Sequence, residues 1–399
     1  MEKKLNVAIY TGVIPGPIFI ENLINGLRHQ NVCVYLFGRN ILLKKYKRSN
    51  VCIFSTPNNK LSRICFVFFQ MLRYFIIHPF KFFNLLSFYR KFSKTKKISF
   101  FHWWGKVLPV VNNLPDIFHI QWAKALPNWV FLKEIYGIKI VLSLRGAHIN
   151  YSPIANNELA NTYRELFPVV DYFHAVSKAI AKESEKYGQI KSKTKVIYSG
   201  INLSLLGSYK IKKFEIENGF HYISVGRHHW KKGYQYAIRA MRNLIDKSFK
   251  IHYTIITNDH PSEEILYMVD DLSLNSYVSF IHCSLQEQVY SIMKKSNCYL
   301  LPSVEEGIAN SVLEAMAIGL PVITSDCGGM DEVIEHKKNG FLFQSRNIDN
   351  LTEIMQHAIN QDHSAKKVMI ELASNFVKDR HDIYNQGFKM KELYRSIVL

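Results

Sequence analysis

The stretch Pro302–Ile323 reads PSVEEGIANSVLEAMAIGLPVI. An apolar run of strand length, Cys298–Pro302, leads into it. Small and polar residues follow, and helical spacing begins near Asn310. Gly319 stops the helix as a left-handed C′ residue, with Pro321 just beyond. A strand, a small-residue loop and a helix in that order bring free backbone N–H groups and a positive helix end to one point. Such a point suits an anion, in particular a diphosphate. Glu306 in the loop and Glu314 in the helix are poor ligands for phosphate but good acceptors for sugar hydroxyls. On the pair alone, a solvated loop with surface glutamates remains an equally plain reading.

The same alternation extends outward in both directions. Upstream, His221–Val225, His252–Thr257 and Val278–Ile281 read as strands, and Gln235–Ile245 and Val289–Lys294 as helices. Downstream, Pro321–Thr324 and Gly340–Phe343 continue the sheet. The first half opens with a strand at Asn6–Tyr10, a glycine-proline loop at Thr11–Pro17, a helix at Ile18–His29 and a strand at Val32–Phe37. Asp116–Gln121, Ile138–Ser143, Phe173–Val176 and Lys195–Tyr198 are further strands, with a helix at Lys178–Tyr187. Leu203–Phe214 shows no period and reads as a linker. Strands alternating with helices predict an α/β chain with two doubly wound, Rossmann-like parallel sheets, each binding ligands at the carboxyl ends of its strands. A length of 399 residues fits two domains at roughly 150 residues each.

Composition narrows the function. With 48% hydrophobic residues the chain can bury two cores, which excludes a disordered class. The six cysteines lie far apart with no CxxC pair, against both a zinc site and a disulfide scaffold; a reducing cytoplasm is expected. There is no Asp-x-Asp at a strand end and no His/Cys cluster, so no metal is expected. The opening Met1-Glu2-Lys3-Lys4 does not read as a secretory leader. The longest apolar run, Ile64–Ile77, is broken by Gln70 and Arg73, short of the roughly 18 residues that a spanning helix needs.

The net charge of +19 is one-sided. Between Asn22 and Pro115 there are sixteen Lys and Arg and no Asp or Glu. Within it, residues 60–106 interleave cations such as Arg73, Lys81, Arg90, Lys96 and Lys97 with Phe68, Phe69, Phe75, Phe80 and Phe83. The stretch reads as one or two basic, aromatic helices. Aromatic side chains that enter a headgroup layer beside cations predict contact with an anionic membrane surface. The alternative is an aromatic core with a solvated basic face. No helix-turn-helix, RNP or KH pattern is present, so nucleic acid is not expected as a partner.

The residues from 173 to 343 resemble a known family. Glu306 and Glu314, with seven residues between them inside an EG…LEAMA-G-PVI frame, are similar to the Glu-x7-Glu motif of retaining GT-B glycosyltransferases, the large family numbered four. ISVGRHHWKKG (Ile223–Gly233) resembles that family's VGR…KKG segment. DCGGMDEVI (Asp326–Ile334) resembles its GG-x-x-E-x-I, and Asn339–Leu342 its NG-F/Y-L. Ser177 and Ser199–Asn202 are similar to the marks that close its first domain.

The resemblance implies a GT-B fold, two Rossmann-like domains facing a cleft. It implies an acceptor-binding domain over residues 1–205, a nucleotide-sugar domain over 206–377 and a C-terminal helix over 378–399 that crosses back. It implies Arg227 and Lys232 on the donor diphosphate, Glu306 at the hydroxyls of the transferred sugar, Glu314 at the ribose, and the backbone of Gly307, Ile308, Ala309, Asn310 and Ser311 as the cradle. Ile308 stands where an aromatic is usual, and Ala309 where glycine is. Gly12 and Gly16 match the family's glycine loop, and Arg145 and His148 fall on the acceptor side. The implied reaction moves a sugar with retention from a nucleoside-diphosphate sugar, a substrate and not a cofactor, to a polyprenyl-diphosphate-linked or oligosaccharide acceptor. The setting would be cell-surface polysaccharide or lipopolysaccharide assembly at the inner face of the cytoplasmic membrane. The alternatives are a soluble transferase with a small acceptor and an inactive scaffold.

Overall fold

Every strand pairing among the described residues is parallel. The computed structural model describes residues 4–41, 46, 50–95, 98–211 and 219–398. The chain forms two Rossmann-like units. The first takes residues up to Val176, Ile180–Gly200 and the chain from Ile383; the second takes Ser177–Ala179 and Ile201–Asp382.

The first unit holds β1 (Leu5–Ile14), β2 (Val32–Asn40), β3 (Val51–Ser55), β4 (Ile117–Ile120), β5 (Lys139–Leu144), β6 (Tyr172–Ala175) and β7 (Thr194–Val196). Their spatial order is β3-β2-β1-β4-β5-β6-β7. Near-continuous apolar runs such as Val7-Ala8-Ile9 are fully buried, as they must be when helices cover both faces of a parallel sheet. The helix Ile383–Val398 belongs to this unit: Met390, Leu393 and Tyr394 pack with Val7, Ile9 and Ile24. It crosses the helix Ile18–Leu27 where Gly26 faces Gly387, and a Cβ on either glycine would run into the other helix's backbone.

The second unit holds β8 (Phe220–Val225), β9 (Ile251–Thr257), β10 (Val278–His282), β11 (Cys298–Leu301), β12 (Val322–Ser325) and β13 (Phe341–Phe343). Their order is β10-β9-β8-β11-β12-β13. The helix Asn310–Ile318 ends at Gly319, which is left-handed at φ 97°. The helix Tyr234–Asp246 buries Ala237, Ile238, Met241 and Leu244 on one face.

Two expectations need correction. Thr11–Ile14 is not loop: it extends β1, because the register shifts between Tyr10 and Gly12 and pairing then resumes through Gly12↔Gly38 to Ile14↔Asn40. Part of the expected linker is ordered structure. Asn202 caps a helical turn at Leu203–Leu206, Leu206 is buried, and the Ile211 amide donates to Ile318. Residues 212–214 of that stretch, and Lys96 and Lys97, lie outside the described residues.

Candidate functional site

In each sheet the strand order reverses once, between β1 and β4 in the first unit and between β8 and β11 in the second. Crevices outside the carboxyl ends of the strands form at such reversals. In the second unit, chain leaving β8 passes through Gly226–Gly233, and chain leaving β11 passes through Pro302–Ala309. The two segments are fastened together: the Val304 amide donates to the Lys231 carbonyl at 2.7 Å.

Lys232 Nζ lies 2.6 Å from Glu306 Oε1 and Lys231 Nζ lies 3.4 Å from Oε2. The Ser303 hydroxyl donates to Oε1 at 3.3 Å. Burial of Glu306 would push its carboxyl up; Lys232 and Lys231 outweigh that and bring it below the usual carboxylate value. Glu306 is therefore a buried carboxylate held ionised by two ammonium groups. Arg227 is exposed and no contact joins it to Glu306. It belongs to the same field, because burial first, and then Lys231, Arg227 and Lys232, hold His229 below the ordinary histidine value, with Glu306 opposing.

The loop around Glu306 needs the glycines behind it. Gly328 is left-handed at φ 57°, and a Cβ there would overlap the Glu306 carbonyl. The Gly329 amide donates to Gly307 at 3.0 Å. The helix from Asn310 has Ala309 at its N-cap with no side-chain cap, so its first amides point into the site and lack intrahelical acceptors. Ser311 Oγ takes the Tyr299 hydroxyl at 2.6 Å.

Glu314 sits one turn further on. Gln286 Nε2 donates to it at 3.3 Å and also meets the Tyr290 hydroxyl. Burial pushes the Glu314 carboxyl up to about 7, with hydrogen bonds from Tyr290 and Gln286 opposing. Both carboxylates act on Tyr299: after burial, Glu314 and Glu306 each help raise its phenol. The two glutamates thus share one end of one sheet in opposite electrostatic states, Glu306 doubly paired and Glu314 poised near neutrality.

In the first unit, Gly12 lies within β1 at φ 74°, and the Gly16 amide donates to Glu21 Oε1 at 2.9 Å, at the start of the helix Ile18–Leu27. Arg145 is bound to Gln121 at 3.2 Å, and its guanidinium lies 4.6 Å from the Phe19 ring centre. Burial brings it down to about 10. His148 lines a cavity of about 440 Å³ at the β1/β4 reversal; burial, then Lys124, bring it down to about 4. His119, at the end of β4, bonds to Tyr394 at 2.6 Å and to Ser143 at 2.8 Å, and Ser143 bonds on to His174 at 2.8 Å. That chain is fully buried and self-satisfied, and ties the C-terminal helix to the sheet.

The sequence reading gave no role to Lys231, Ser303, Tyr299, Gln286 or Tyr290. Lys231 was within reach, as the neighbour of Lys232 before a helix start. Gln286 and Tyr290 reach Glu314 across β11 from a separate helix, Gln286–Met293, and no local motif marks them.

The basic aromatic stretch forms helices Lys60–Ile77 and Pro79–Thr95. Val67, Tyr74, Leu85 and Phe92 are buried, whereas Leu61, Phe68, Phe69, Leu72, Ile76 and Phe80 are exposed, Phe80 by 85%. Spacings of 61, 68, 69, 72 and 76 put the exposed side chains of the first helix on one face. Among the described residues no helix is long and apolar enough to cross a membrane, and no group of three His, Cys, Asp or Glu is placed to hold a metal ion.

Residues 209–376 match the family model described as glycosyl transferases group 1. The chain is 32% identical over 181 residues to an uncharacterized glycosyltransferase of Haemophilus influenzae, covering 45% of this chain and 50% of that one. It is 28% identical over 249 residues to the amylovoran biosynthesis glycosyltransferase AmsK of Erwinia amylovora, covering 60% of each. It thus spans 50% to 60% of the length of these relatives. A solved structure, Anabaena Alr3699/HepE in complex with UDP-glucose, matches with a TM-score of 0.71 at 18% identity, over 98% of this chain and 100% of that one. The fold of two Rossmann-like parallel-sheet units is shared with that structure.

Proposed function

With residues 209–376 matching the glycosyl transferases group 1 model, we propose that this protein is a retaining glycosyltransferase of GT-B type, in the family numbered four. It moves a sugar from a nucleoside-diphosphate sugar to a lipid-linked or saccharide acceptor in surface polysaccharide assembly. The observation that carries this reading is the Lys231–Lys232–Glu306 cluster beside an uncapped helix N-terminus, with Glu314 in the same helix. The names of the relatives support the polysaccharide setting, and the UDP-glucose complex of a protein with this fold supports the donor class.

In this reading the diphosphate lies at the amides of Asn310 and Ser311, in the backbone cradle of Gly307, Ile308 and Ala309. Lys232 and Arg227 neutralise the charge that grows on it as the bond from the anomeric carbon to the β-phosphate oxygen breaks. Glu306, kept ionised, accepts hydroxyls of the transferred sugar and helps hold Lys232 in place; it is not a nucleophile. Glu314 accepts the ribose hydroxyls. The acceptor oxygen attacks from the face the leaving group departs, and its proton passes to the departing phosphate. Fixed cations and the helix end do the electrostatic work, so the reaction is metal-independent.

The exposed aromatic row of residues 60–95 and its cations rest on an anionic membrane surface in this reading, at the cytoplasmic face, each cation adding about 1 kcal/mol. A polyprenyl-linked acceptor is then held where it is made available.

A thermal-shift screen of UDP-, GDP- and ADP-sugars tests the donor assignment: one class stabilises the protein, and Glu314→Ala weakens that response. Equal shifts in both proteins contradict the ribose role. NMR of the first-formed product with the active donor tests retention; an inverted anomer contradicts it.

A further inference from the structure

The cavity at the β1/β4 reversal is made entirely of first-unit residues. Its volume of about 440 Å³ lies within the roughly 300–1,000 Å³ of small-ligand pockets. Tyr10, Trp103 and Trp122 give it flat, weakly polar walls. A guest with C–H faces and hydroxyl edges, such as a pyranose ring, lays its faces on those rings. The cations add a further requirement. Lys106 and Lys124 line the cavity, and an adjoining hollow shares Tyr10 and Lys106 and adds Arg39 and Arg63. No Asp or Glu lines either hollow among the described residues. In the second unit, by contrast, Lys231 and Lys232 face a carboxylate of the protein itself. A surplus of positive charge over an aromatic pocket selects an anionic guest.

We infer that this cavity binds the acceptor as an anionic saccharide: a sugar unit whose carboxylate or phosphate is held by Lys106 and Lys124 while its C–H faces lie on the Tyr10 and Trp122 rings. The inference rests on the glycosyl-transfer reading and names the chemistry of its acceptor. Saturation-transfer NMR on the full chain, with methyl glucuronide, glucose 1-phosphate and methyl glucoside as probes, tests it. At least one acidic probe is expected to bind at least fivefold more tightly than the neutral one, and the preference is expected to vanish in the Lys106→Gln/Lys124→Gln variant. Preference for the glucuronide assigns a carboxylate sugar, and preference for the phosphate assigns a phosphate-linked one; either supports the inference. Equal binding of all three probes, binding of none, or an acidic preference that survives in the double variant overturns it. Nucleotide-sugar thermal shifts on the same two proteins separate the two readings. An acidic preference without any nucleotide-sugar response sinks the transferase reading and leaves the pocket; the reverse result sinks the pocket alone.

Discussion

The two sheets bring cations to the same topological point, where the strand order reverses, and furnish it in opposite ways. At the β8/β11 reversal, Lys231 and Lys232 are paired with the buried Glu306, and the loop is fixed by backbone contacts through Gly328 and Gly329. At the β1/β4 reversal, Lys106 and Lys124 stand over aromatic rings with no carboxylate in the lining. A cation paired with its own carboxylate is held in position before any ligand arrives. A cation without one makes a field that only a ligand neutralises. The first arrangement suits charge that develops during a reaction, and the second suits charge that a substrate brings with it.

The comparison breaks most readily at the glycine behind the paired site. Gly328→Ala is expected to cost about 3 kcal/mol or more in denaturant unfolding of the second unit, because the added methyl collides with the Glu306 carbonyl at a left-handed position. A loss under about 1 kcal/mol contradicts the packing described. Lys232→Ala is the next largest change. It leaves Glu306 buried beside Lys231 alone, and kcat/KM with the active donor is expected to fall about 100-fold or more; activity within about threefold of wild type shows that the pair is merely structural.

A smaller effect separates the two glutamates by pH. With Glu314 titrating near 7, donor affinity is expected to rise about tenfold between pH 6 and pH 8 as the carboxylate forms. Glu314→Gln is expected to flatten that profile. The sign for stability is the reverse. A carboxyl raised above its unfolded value favours the fold while it is protonated, so its contribution is present in acid and is lost as pH rises from about 4.5 through about 7. Affinity independent of pH in the wild type contradicts the ribose role. The least effect on the fold itself is expected on the exposed helices. Phe68→Ser/Phe80→Ser changes stability by no more than about 0.5 kcal/mol but abolishes flotation with anionic vesicles. Retained flotation removes these helices from the membrane reading.

Legibility in the sequence differed between the same two regions. In the second unit the apolar runs, Gly319 and the Glu306–Glu314 spacing are local signals, and the strand positions follow from them within a residue; the helix Gln286–Met293 starts three residues before the expected Val289, and the helix Glu263–Asp271 was not read. The first unit's helix at Ile18–Leu27 and six of its seven strands were legible for the same reason; β3, a short run after a basic stretch, was not read. The extension of β1 through Thr11–Ile14 was not, because glycines and prolines at residues 12–17 signal a turn, whereas the register shift and the pairing of Gly12 with Gly38 are set by a neighbouring strand. The cavity was hidden for a related cause. Trp103, Trp122 and His148 come from three separated segments, and only the sheet topology brings them to one place. Arg145, picked out beside His148, has Gln121 and Phe19 as partners, which no local motif marks and which a guanidinium at that depth needs.

The proposed donor site turns on the cations of the second unit, Arg227 and Lys232, receiving the diphosphate. Isothermal titration of the stabilising nucleoside-diphosphate sugar into wild type and the Arg227→Ala/Lys232→Ala variant tests it most directly. Kd is expected to rise at least 30-fold in the variant while its second unit stays folded in the absence of ligand. An unchanged Kd in a folded variant would contradict it.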